Sequence, residues 1–127
     1  MSEFIDGFVF PIPKKHLGEY KQVAEKVAKI WKEHGALAYY EYAGENAKLE
    51  GTRSFAEMVK AEKDEVVVFG WTVFESRQIR DLAIKRVSSD PRMKNLIAPL
   101  LDPSRLIFDA ERMVYGGFNP LVISGFE

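Results

Sequence analysis

The sequence predicts an α+β fold built on a four-stranded antiparallel sheet, and three observations carry that expectation. Four stretches read as strands, and two of the intervals between them carry the apolar period of a helix. The resulting order, strand–helix–strand followed by strand–helix–strand, is that of the ferredoxin-like split βαβ arrangement, with both helices on one face of the sheet. A chain of 127 residues has the size of one domain, so residues 1–127 are read as a single domain around one main core.

The first strand runs from Phe4 to Phe10, apolar or aromatic apart from Asp6 and Gly7, with Pro11 and Pro13 behind it. From His16 to His34 the residues Leu17, Tyr20, Ala24, Val27 and Trp31 recur at intervals of three and four, which makes one buried helical stripe. Gly35 stands where a helix is commonly closed by a left-handed residue. A tyrosine-rich second strand spans Ala36 to Gly44. Ser54 and Glu57 are spaced as a capping box for one or two helical turns. Val66 to Phe74 is the clearest strand in the chain, and Ser76 can cap a second helix carrying Ile79, Leu82, Ala83 and Val87 on its buried side. "SDPR" ends that helix. Pro99 and Pro103 break the following stretch into short turns, and Arg112 to Val122 forms the last strand around Gly116 and Gly117.

Hydrophobic residues make up 46 % of the chain and charged residues 29 %, which are globular proportions that argue against disorder. A net charge of −1 with interspersed signs leaves no basic field for phosphate contacts, so nucleic-acid binding is not expected. The absence of cysteine removes thiolate chemistry and cysteine-based zinc sites. The acidic start lacks the basic segment of a signal peptide, and no apolar run reaches the roughly 18 residues of a membrane span. A cytoplasmic protein with no membrane association, no metal and no cofactor is the expectation.

The strands are apolar on both sides. Phe4, Phe8 and Phe10 share one face of the first strand and Ile5 and Val9 the other; Val67, Phe69, Trp71 and Val73 oppose Val66, Val68 and Phe74. Two helices cover one side only, and each large apolar side chain left wet forgoes about 1.5–3 kcal/mol. The expected remedy is a homodimer that packs two sheets face to face. The competing remedy is that the proline-containing segment after Pro91 folds over the open face of its own chain.

"FIDGFVFPIPKKHLGEYKQVAEKVAKIWKEHGALAYYEY" resembles the opening of the YbaA-like bacterial proteins of unknown function, through Asp6, Gly7, Phe8, Val9, Pro11, Pro13, Lys14, Lys15 and the run Trp31, Glu33, His34, Gly35, Ala36. The resemblance continues through "SFAEMVKAEKDEVVVFGWTVFESRQIRD" and "DPRM" to "RMVYGGFNPLV", nearly the whole chain. It implies a dimeric α/β-barrel of ferredoxin-like subunits, a superfamily with monooxygenases, enzymes that decompose small aromatic or chlorinated compounds, stress-related proteins and proteins without known activity.

Four residues are candidates for catalysis: Asp6, His34, Glu41 and Tyr115. His34 can act as a base oriented by Glu41, or can simply close its helix by bonding a free carbonyl. Asp6 shares the face of three phenylalanines and needs a compensating cation there; Arg112 is the first candidate, with Arg53, Arg77 and Arg80 as others. Tyr40, Tyr42, Trp71, Arg112 and Gly116 are candidates for ligand binding. Together with Tyr39 and Tyr115, the aromatics of this set either line a pocket or fill a core. The glycine doublet permits a bulge or a close approach, or leaves room for a ligand. The reading that results is a homodimeric small-molecule-binding or accessory protein. The alternative is a cofactor-independent enzyme, monooxygenase-like or isomerase-like, acting on a small aromatic or keto compound.

Overall fold

The computed structural model describes residues 3–45 and 47–125. Its sheet is formed by β1 (Phe4–Pro13), β2 (Ala38–Ala43), β3 (Glu65–Phe74) and β4 (Val114–Phe118), in the order β2-β3-β1-β4 with every neighbouring pair antiparallel. This is the expected ferredoxin-like topology. The expected α/β-barrel is overturned: the sheet is open, ending at β2 on one side and β4 on the other.

The helices are α1 (Leu17–Glu33), α2 (Phe55–Met58), α3 (Arg77–Ser88) and α4 (Pro91–Ile97), followed by short 3-10 turns before β4. Their ends follow the signals in the chain. Gly35, just past α1, has φ +124°. Ser54 and Glu57 form the reciprocal capping box of α2, and the Ser76 hydroxyl accepts from the Ile79 amide at the start of α3. Asp90 does more than end α3. Its carboxylate accepts from the Arg92 amide and, with Pro91 in the first turn, starts α4.

Strand alternation decides which side chains meet the helices. Phe4, Asp6, Phe8, Phe10 and Ile12 of β1 face them together with Val68, Thr72 and Phe74 of β3, Tyr39 and Glu41 of β2 and Tyr115 of β4. The main core lies here, where Phe10 meets Tyr20 and Phe108 edge to face at 5.6 and 5.1 Å. A second cluster at the other end joins Ala36, Phe74 and Ala83, with Trp31 against the Phe74 ring.

The segment after Pro91 packs on this same side: α4 lies against α1, and Leu100 and Ile107 are in the main core. The expectation that it folds over the open face is therefore overturned. Among the described residues, α2 is the one helix that reaches that other face, where Phe55 lies 5.5 Å from the Phe69 ring. The rest of it, Ile5, Trp71, Val73, Tyr40, Tyr42, Val114 and Phe118, has no covering element of its own chain among the described residues.

The glycine doublet is not a bulge. Gly116 pairs with Gly7 and Gly117 with Asp6 in unbroken register. Its use is close approach: a Cβ on Gly117 would stand 2.7 Å from the Phe4 ring and 2.9 Å from the Arg80 guanidinium.

Candidate functional site

Between the sheet and α1, α3 and α4 lies a cavity of about 520 Å³, walled mainly by apolar and aromatic side chains that include Phe8, Phe10, Trp31, Met93, Leu100 and Phe108. Two carboxyl groups enter this apolar wall, Asp6 from β1 and Glu41 from β2, along with the hydroxyls of Tyr20, Tyr39 and Tyr115. Each is there because of strand parity or helix periodicity. Asp6 occupies an even position of β1 between Phe4 and Phe8, and Tyr20 lies on the buried stripe of α1.

Asp6 is 3 % exposed. Burial pushes its carboxyl above the ordinary aspartate range, opposed by the Tyr115 hydroxyl and by Arg80. The Arg80 Nε stands 3.5 Å from Asp6 Oδ1, beyond good hydrogen-bond reach, and its guanidinium lies over the Phe4 ring at 4.7 Å. Neither Asp6 Oδ1 nor Arg80 Nε has a hydrogen-bond partner. Burial, and then the neighbouring Asp6, also raise the Tyr115 phenol.

Glu41 is held differently. The Tyr20 hydroxyl donates to its Oε1 at 2.6 Å and the Tyr39 hydroxyl to its Oε2 at 2.5 Å. Burial raises its carboxyl above the ordinary value, and the two phenols hold it back without cancelling the rise. A carboxyl raised on folding gives its greatest stability when both states are protonated, and loses it as pH climbs through the folded value. Glu41→Gln keeps an acceptor for the tyrosines and removes the titration. Wild type is therefore expected to have its best melting temperature relative to Glu41→Gln at the acid end, below pH about 4.5, with the difference moving in favour of the variant as pH rises. Paired thermal melts across the acid range check it; a difference that moves the other way contradicts the assignment.

The other candidate residues are distributed elsewhere. His34 Nε2 pairs with Asp90 Oδ2 at 2.8 Å, in a network that Arg92 extends to Glu33. Arg92, His34 and the Arg92 amide hold the Asp90 carboxyl well below the ordinary range. His34 thus meets Asp90 rather than Glu41, the partner of its catalytic reading, in a clasp between the end of α1 and the start of α4. Arg112 does not reach Asp6. Its guanidinium bonds both oxygens of Glu65 at 2.6 and 2.7 Å and Asp109 at 2.8 Å, tying the entry of β4 to β3, and Arg80 takes the place by Asp6. Tyr40, Tyr42, Trp71 and Gly116 lie on the opposite face of the sheet, where the Tyr42 and Trp71 rings stack at 5.5 Å.

Apart from His34 and Arg112, the predicted site residues thus fall into two groups on two faces. Asp6, Glu41 and Tyr115 share the cavity; Tyr40, Tyr42, Trp71 and Gly116 share the uncovered face. Sequence reasoning missed Tyr20, which counted only as part of an apolar stripe although its hydroxyl anchors Glu41. It also missed Met93 and Phe108, which sit in a stretch legible only as turns. Among the described residues no group of three or more His, Asp or Glu is placed to hold a metal ion, and no helix is long and apolar enough to cross a membrane.

Among solved structures, the fold is similar to that of a nipsnap family protein of unknown function from Agrobacterium tumefaciens, with a TM-score of 0.61 at 17 % identity, covering 96 % of this chain and 91 % of that one. It is also similar to a dimeric ferredoxin-like protein from an uncultured marine organism, with a TM-score of 0.53 at 12 % identity, covering 99 % and 100 % of the two chains. In sequence the chain is 36 % identical over 120 residues to the uncharacterized protein YbaA of Escherichia coli (strain K12), covering 94 % of this chain and 97 % of that protein. YbaA of Shigella flexneri matches to the same extent. Residues 3–109 match the family model described as "Protein of unknown function (DUF1428)". With that match over most of its length, and with YbaA as a relative along nearly all of it, the chain belongs to the DUF1428 family of YbaA-like proteins.

Proposed function

We propose that this chain is a small-molecule-binding protein that holds its ligand in the cavity between sheet and helices, and that it does so as a homodimer joined through the uncovered sheet face. The observation that carries the first part is the cavity itself. About 520 Å³ is within the usual range for ligand sites, and an apolar wall broken by a few convergent polar groups is their usual composition. Asp6, Glu41 and Tyr115 are the polar groups that would orient a ligand. A second reading rests on Asp6 and Tyr115: a carboxyl raised by burial beside a phenol is an acid–base pair suited to cofactor-independent chemistry on a small aromatic or keto compound.

The homodimer is supported by the exposure of Tyr42 at 60 % and Phe118 at 54 %, in a contiguous apolar face of a size that a stable monomer seldom presents. Leu121, Val122 and Ile123, just beyond β4, are exposed as well. The marine structural relative is described as dimeric, in line with this reading.

The cavity reading is tested with a plain hydrocarbon. Methylnaphthalene is expected to raise the melting temperature of wild type in a concentration-dependent way, because it binds the folded state alone. Ala24→Phe, which places a ring into the cavity from α1, is expected to abolish the shift. An equal shift in both proteins would place binding elsewhere and contradict the proposal.

A further inference from the structure

We infer that Glu41 is a general base, which takes a proton from carbon in a ring-bearing ligand seated on Phe8 in the cavity. The inference rests on the cavity reading above and assigns the proton chemistry to a carboxyl group other than Asp6.

Two features of its placement single out Glu41. The first is a shared wall. Glu41, with Tyr20, Ala24 and Tyr39, lines both the cavity and a second cleft of about 320 Å³ between α1 and β2. Lys21, Glu25 and Tyr42 of that cleft are exposed, so it opens to water. A base that works repeatedly has to meet its ligand on one side and give up the proton on another, and Glu41 is positioned for both. Asp6 is not. It is buried, and its Oδ1 is shut against Arg80 at 3.5 Å in an ion pair that suits a structural role.

The second feature is a row across the sheet. Glu41, Gly70, Phe8 and Tyr115 are successive cross-strand neighbours on the helix side. Gly70 brings no side chain, and the Phe8 ring lies over it, where a Cβ would come within 2.5 Å. The aromatic seat thus ends one strand spacing, about 5 Å, from Glu41. The Tyr20 and Tyr39 hydroxyls each take one lone pair of a Glu41 oxygen, which fixes the carboxylate and leaves a second lone pair on each oxygen. Burial makes this carboxylate more basic than an ordinary glutamate and brings it nearer the range in which a general base is effective. The other titratable groups of the cavity wall are Asp6 and Tyr115, and those of the cleft are Lys21, Glu25 and Tyr42; Gly70 on β3 and Phe8 on β1 add none.

In the step, a Glu41 oxygen forms an O–H bond as the C–H bond of the ligand breaks. The electron pair stays on the ligand, spread into an adjoining carbonyl or heteroaromatic ring. The proton returns to another carbon of the same molecule, giving an isomer, or leaves to water through the cleft. The balance closes without an oxidant, reductant or co-reactant. An apolar wall suits such a ligand, because a delocalised charge loses less hydration on burial than a localised one.

Nitrobenzisoxazole is the probe: loss of its C–H proton to a base breaks its N–O bond and releases a coloured phenolate bearing a nitrile. Wild type is expected to open it with saturable kinetics, at a rate that rises with pH to a plateau and is half-maximal above pH 4.5. Glu41→Gln is expected to be slower by at least about 100-fold. Tyr39→Phe removes one of the hydrogen bonds that hold the carboxyl down, so its half-maximal rate is expected at higher pH than that of wild type, a shift that a merely structural Glu41 would not produce. This variant carries the test should Glu41→Gln not fold. A Glu41→Gln rate equal to wild type, or a Tyr39→Phe midpoint that is unchanged or lowered, overturns the base. If nitrobenzisoxazole raises the melting temperature of wild type but opens no faster than in acetate buffer, the cavity reading stands and the base falls. If neither nitrobenzisoxazole nor methylnaphthalene raises the melting temperature, both fall.

Discussion

Gly70→Ala is expected to destabilise the protein by about 2 kcal/mol or more, lowering its melting temperature by several degrees, although it adds a single methyl group. Gly70 lies in the middle of β3, opposite Phe8 on β1 and Glu41 on β2. A Cβ there would stand 2.5 Å from the Phe8 ring and 2.6 Å from the Tyr40 carbonyl oxygen. The carbonyl belongs to the sheet and cannot move aside. Phe8 is buried among Phe10 and Tyr39, so its only free direction is into the cavity. The usual gain of about 0.5–1 kcal/mol from replacing a strand glycine is too small to offset such a clash. Gly18→Ala near the start of α1 is the control: its Cβ meets nothing within 4 Å, and it is expected to be neutral or mildly stabilising. Thermal melts of the two variants beside wild type check both statements. A Gly70→Ala protein as stable as wild type contradicts the packing described for the sheet centre.

Trp71→Glu is expected to weaken self-association by at least about 100-fold, because a carboxylate buried in an apolar interface costs roughly 3 kcal/mol or more. Trp71 is at the centre of the uncovered face, 5.1 Å from the Tyr40 ring, 5.5 Å from Tyr42 and 5.7 Å from Phe69. Nothing from the helix side touches it, so the substitution should spare the cavity. In sedimentation equilibrium at micromolar concentration, wild type is expected at twice the 14.5 kDa chain mass and Trp71→Glu at the chain mass. A wild type that sediments only at 14.5 kDa, or a variant that remains associated, contradicts the homodimer.

Strand positions and the caps of α1, α2 and α3 were legible because they follow from local rules: parity in β1 and β3, three-and-four spacing in α1, and Ser54, Ser76 and Gly35 at the helix ends; the sheet order followed from the twice-repeated strand–helix–strand sequence. The side of the sheet that the helices choose was not, because both faces are apolar and parity alone does not distinguish them. This is why Tyr39 and Glu41 could not be separated in advance from Tyr40 and Tyr42, although neighbours in sequence point to opposite faces and serve different surfaces.

Long-range pairing was the other gap. Arg112 and Arg80 were both available to Asp6, and only the turn that brings Asp109 and Glu65 around Arg112 decides between them. His34 could be matched only with Glu41, because Asp90, far along the chain, read as a helix terminator alone. The lone Gly70 inside an apolar strand was a usable signal of close approach that the more conspicuous Gly116–Gly117 doublet obscured.

The chain contains two tryptophans, and the structure puts one on each face: Trp31 lines the cavity and Trp71 lies on the uncovered sheet. Fluorine NMR of protein labelled with fluorotryptophan therefore reads the two surfaces as two resonances, assigned with Trp31→Phe and Trp71→Phe. Methylnaphthalene is expected to shift the Trp31 resonance at saturation and leave that of Trp71 in place. A ligand that moves Trp71 alone, or binds with neither resonance responding, contradicts a functional site on the helix side of the sheet.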